Sequence, residues 1–101
     1  IVHGIPGTRV IGAGDLVGLD FGVTFEGMIT DGAVTVVAGG KTTPAVQRLL
    51  NATKQALDLG IAQVKAGSRV GDISHAVEKR LRLDKLGVIE ELSGHGVGQI
   101  R

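Results

Sequence analysis

From Leu16 to Ala38 the chain is rich in Val, Ile, Thr and Phe around a central Glu26-Gly27 dipeptide, a pattern that predicts a β-hairpin. Beyond Gly39-Gly40 the spacing changes: Val46, Leu49, Leu50, Thr53, Leu57, Ile61 and Val64 recur with helical period. Thr43 is placed to cap that helix, Pro44 stands at its first position, and its end is expected near Ala66-Gly67. A second helix is expected from Asp72, a good N-cap, to Leu86, with Ile73, Val77 and Leu81 on one side and a stop at Gly87. Val88 to Leu92 reads as a short strand, and Gly94-His95-Gly96-Val97-Gly98 as a loop. The order strand, strand, helix, helix, strand predicts an α+β fold in which an antiparallel hairpin sheet carries two helices packed on one face.

Composition narrows the class. The 101 residues are 43% hydrophobic but include no Trp or Tyr, so the core must be aliphatic, and a chain this small buries only about 60–68% of its unfolded surface. A formal net charge of +1, with Phe21 and Phe25 the only aromatic residues, argues against a nucleic-acid partner, which would call for a basic stripe and stacking rings. No apolar run approaches the roughly 20 residues of a membrane span, and no basic stretch precedes an apolar one at the amino end. Without cysteine, any metal chemistry falls to Asp, Glu and His, and a reducing, cytoplasmic compartment is consistent with that absence.

Two acids stand out because Asp is depleted in strands: Asp20 and Asp31, in the two arms of the hairpin. A turn centred on Phe25-Glu26 places them face to face, with Cβ atoms about 4.5–5.5 Å apart. A two-residue turn at Glu26-Gly27 makes them diagonal neighbours on one face, and the register between these puts them on opposite faces. Carboxylates held so close need a raised pKa, a basic neighbour or a cation; the hairpin contains no Lys or Arg, which favours a divalent metal. The plain alternative is that one Asp faces solvent while the other caps a turn.

The histidines differ in setting. His95 sits among glycines that let a ligand approach the backbone, His3 stands beside the Gly4-Ile5-Pro6 turn, and His75, near Glu78, Lys79 and Arg80, reads as a surface residue. A Gly-x-Ser-x-Gly elbow is absent, and the basic run Lys79, Arg80, Arg82, Lys85 is interspersed with acids as on a solvated helix face.

Taken in order, Val2-His3-Gly4-Ile5-Pro6, Gly14-Asp15-Leu16-Val17, Asp20 followed eleven residues later by Asp31, and Gly94-His95-Gly96-Val97-Gly98 closely resemble the type I methionine aminopeptidases. Leu57-Asp58-Leu59-Gly60-Ile61 and Gly71-Asp72-Ile73-Ser74-His75-Ala76 are similar to that family as well, so the resemblance covers essentially the whole chain. It implies the first half of a pita-bread fold, as a single partial catalytic domain over residues 1–101, and a two-metal site that removes initiator methionine from the amino ends of nascent proteins.

By that resemblance Asp20 chelates one ion, Asp31 bridges both and His95 binds the second, while His3 is a catalytic, substrate-side histidine. The two divalent ions (Co, Mn, Fe or Zn) would lower the pKa of a bridging water and polarise the peptide carbonyl. The family's other catalytic histidine and two glutamate ligands fall past Arg101. The expected activity of the 101-residue chain alone is therefore weak or nil, with self-association or a complementary half as partner. The competing expectation is a non-catalytic half-domain that serves as a binding or assembly module.

Overall fold

The computed structural model describes residues 4–99. Residues up to Thr42, with those from Val97 on, form one compact unit, and Thr43–Gly96 a second. In the first unit, β1 (Leu16–Phe25) pairs antiparallel with β2 (Met28–Val37). Their link is a two-residue turn with φ of 48° at Glu26 and 78° at Gly27, the pair of positive angles that a type I′ turn requires. A turn one residue earlier would force the bulky Phe25 into the left-handed region, whereas Gly27 enters it without a Cβ penalty. Phe25 therefore faces Met28, Asp31 faces Gly22 and Asp20 faces Ala33, which is the diagonal of the expected registers.

That register sorts the hairpin into two unlike faces. Gly18, Asp20, Gly22 and Thr24 share one with Ile29, Asp31, Ala33 and Thr35. Val17, Leu19, Phe21, Val23 and Phe25 share the other with Met28, Val34 and Val36, and it is open, with Phe21 59% and Phe25 72% exposed. At the base of the hairpin, Gly14 donates to the Ala38 carbonyl at 2.8 Å and Ala38 to the Asp15 carbonyl at 2.9 Å. The Asp15 carboxylate gathers the entering loop by accepting from the Gly12 amide at 3.0 Å and from Arg9 at 2.9 Å.

The expected strand from Val88 to Leu92 does not form, because a turn at Glu90-Glu91 interrupts it. Strand pairing begins later instead: the Ile29 amide donates to the Gly98 carbonyl at 3.2 Å, and Met28 and Gln99 form an antiparallel bridge. This bridge lies along the edge of β2 that faces away from β1.

In the second unit, α1 (Pro44–Ile61) starts as expected, with the Thr43 hydroxyl accepting from the Val46 amide at 3.3 Å and Pro44 in the first turn. It ends sooner than Ala66. The chain tightens into turns in which Gln63 donates to Gly60 and Val64 to Ile61, and the three-residue step from Ile61 to Val64 imitates helical period.

The second helix, α2 (Val70–Leu83), starts two residues before Asp72 and stops short of Leu86. Asp72 still caps it, but from inside the first turn, where its carboxylate accepts from the Arg69 amide at 2.7 Å. At the other end Leu86 donates to the Leu81 carbonyl and Lys85 to that of Arg82, a Schellman closure in which Lys85 takes a φ of 55°. Glycine is the usual occupant of that position, so Lys85→Gly is expected to stabilise the helical pair by about 0.5–1 kcal/mol. A thermal melt checks this, and a lowered midpoint would count against the left-handed closure.

The seam between α1 and α2 is built from small residues. Ala52, Ala56 and Gly60 follow one another at every fourth position and are buried, while Leu57 and Ile61 of the apolar stripe stay 57% and 58% exposed. A Cβ added at Gly60 would lie 2.9 Å from Val77 Cγ2, so the helices approach as closely as a bare α-carbon permits. Across the same seam Arg80 donates to Gln55 Oε1 at 2.6 and 3.0 Å, and to Asp84 at 2.6 Å within its own helix. Among the described residues no helix is long and apolar enough to cross a membrane.

Candidate metal centre

Asp20 and Asp31 are brought together by the hairpin alone. The Ile29 amide points away from β1, to Gly98, so by alternation Asp31 and Ala33 occupy the non-hydrogen-bonded positions of the β1–β2 ladder. Facing residues there come closest, and Asp20 and Asp31 stand on opposite corners of a four-residue block whose other corners are Gly22 and Ala33. Diagonal neighbours of this kind have α-carbons about 7–8 Å apart, with Cβ atoms somewhat nearer. Both acids are exposed.

Two carboxylates on one face of the hairpin, with nothing larger than a methyl group at the intervening corners, are the kind of hard oxygen donors that a divalent cation takes. The donor set therefore fits the metal ions expected for this chain. Gly22 and Ala33 were not singled out from the sequence; their part becomes visible only once the turn has chosen the register.

His95 belongs to the second unit, and its Nδ1 stands 3.0 Å from the Gly96 carbonyl oxygen. A carbonyl can only accept, so this contact is a hydrogen bond when Nδ1 carries a proton. Three residues further on, Gly98 joins the sheet through Ile29. His3 lies outside the described residues. His75 is exposed on α2, beside Lys79 and Leu83 along a shallow groove, in agreement with its reading as a surface residue. Among the described residues no group of three or more His, Asp or Glu side chains is gathered as a metal cage, so the hairpin's contribution is the acid pair.

The chain belongs to Metallopeptidase family M24, whose family model matches residues 1–101. Among individual proteins it is similar to methionine aminopeptidases. It is 42% identical over 100 residues to that of Aquifex aeolicus, covering 98% of this chain and 38% of the relative. To that of Treponema pallidum it is 42% identical over 98 residues, covering 97% and 38%. To that of Borreliella burgdorferi it is 39% identical over 98 residues, covering 97% and 39%. The chain thus spans about two fifths of the length of the curated relatives it matches. Its antiparallel strand pair and two helices are the α+β content expected of half a pita-bread domain.

Proposed function

We propose that this chain supplies the first part of a methionine aminopeptidase site: Asp20 chelates one divalent ion, Asp31 bridges two, His95 ligates the second, and His3 contacts the substrate near its scissile bond. The observation that carries the reading is the register of the hairpin, in which Asp20 and Asp31 lie on one face of the sheet. When bound, divalent ions such as Co, Mn, Fe or Zn supply Lewis acidity and an activated water.

The residues of the chain do the remaining work. Asp20 and Asp31 would hold the ions and offset their charge, His95 would add an imidazole ligand, and His3 would orient the amino-terminal methionine of a nascent peptide. The compartment is the cytoplasm, where nascent chains are made.

A complementation assay tests the reading against that of a non-catalytic assembly module. Mixing this polypeptide with the remaining portion of the Aquifex aeolicus relative and Mn²⁺ is expected to release free methionine from a methionyl peptide. The same mixture with Asp31→Asn is expected to fall by about 10²- to 10³-fold, the usual effect of removing one charge-stabilising group. Association without methionine release, or release indifferent to Asp31, would establish the module instead.

A further inference from the structure

We infer that Gly22 and Ala33 are positioning residues whose small size keeps open the seat in which the metal ions lie; this inference rests on the function proposed above. The register makes each of them a neighbour of both acids. Gly22 faces Asp31 directly and follows Asp20 by two residues on the same face; Ala33 faces Asp20 directly and follows Asp31 by two. Within the hairpin, the two positions between the diagonal carboxylates are these corners.

The corners run against strand preference. Gly and Ala are depleted in strands, and a β-branched residue at either position would pack better on a pleated surface. The opposite face of the same strands carries Val17, Val23, Val34 and Val36, with Gly32 across from Phe21 its one small residue. Gly22 is further restricted, because a Cβ there would stand 3.2 Å from the Thr30 carbonyl oxygen. Ala33 therefore separates the two explanations more cleanly. If its size matters only for the strand, Ala33→Ile is neutral or stabilising; if it guards the seat, the same change stabilises the hairpin and removes the ion.

The test is a Mn²⁺ titration of the 101-residue chain, read from loss of the free-ion electron paramagnetic resonance signal, with far-ultraviolet circular dichroism on each sample. Ala33→Ile is expected to weaken Mn²⁺ binding at least about tenfold with the dichroism unchanged, Ala33→Ser to bind as the parent does, and Gly22→Ala to fall between them. Equal Mn²⁺ affinity in the parent and Ala33→Ile, where Asp31→Asn abolishes binding, would overturn the inference while leaving the acid site intact. A parent chain whose Mn²⁺ binding is absent, or unaffected by both Asp20→Asn and Asp31→Asn, would overturn the proposed site and the inference with it.

Discussion

Titrated with Mn²⁺ on its own, the 101-residue chain is expected to bind at most one ion, weakly, and to release no methionine above background. The physical reason is charge. Two divalent ions side by side carry four positive charges, and Asp20, Asp31 and His95 return only two negative ones, whereas the type I methionine aminopeptidases that the sequence resembles add two glutamates. A single ion between the diagonal carboxylates has no such excess, so partial occupancy is the natural state of the hairpin. In these 101 residues alone, the second catalytic histidine that the resemblance implies does not contribute, and one missing donor to a developing charge costs about 10²- to 10³-fold in rate. Calorimetric titration followed by a methionyl-peptide assay on the same sample checks both halves. Two tightly held ions per chain, or rapid methionine release, would mean that the remaining ligands come from a second copy.

The second large effect concerns the helical pair. Gly60→Ala is expected to destabilise it by about 1–3 kcal/mol, although alanine is the better helix former by about 1 kcal/mol. The added methyl carbon would meet Val77 Cγ2 at 2.9 Å, and α2 cannot withdraw without loosening Ala52 and Ala56 from the same seam. Such a loss is a large fraction of the stability a domain of this size possesses. Val77→Ala in the same chain is expected to restore part of it, so a double-mutant cycle should show a favourable coupling between the two changes. Additive effects in chemical denaturation would disprove the close approach.

Much of the hairpin was legible in the sequence. Glu26-Gly27 marked the turn, and two aspartates in strand surroundings were conspicuous because strands disfavour them. The choice between facing and diagonal acids was not legible from pattern alone; it depended on which two residues could bear positive φ, and Gly27 decided it. The helix starts divide in the same way. Thr43-Pro44 is a local signal that does not depend on tertiary structure, while Asp72 can cap from two positions and was read at the wrong one. The α1–α2 seam escaped notice because Ala52, Ala56 and Gly60 carry little hydrophobic signal; their value lies in how near they let another helix come. Glu90 and Glu91 turn the segment that Val88 and Ile89 made look like a strand.

The type I′ turn also imposes a parity rule on the chemistry above it. Asp20 and Asp31 are an odd number of residues apart, and a loop of even length between paired strands is what keeps two such positions on the same side. Lengthening the loop by one residue preserves the acid pair only if the added residue leaves both strands in their present pairing. Removing one residue from either arm between turn and aspartate sends one carboxylate to the oily side, with every ligand atom still encoded. Tolerated insertions and deletions in the arms of this hairpin should therefore come in twos or be absorbed as a bulge, which makes the length of the arms as consequential as the identity of the two aspartates they carry.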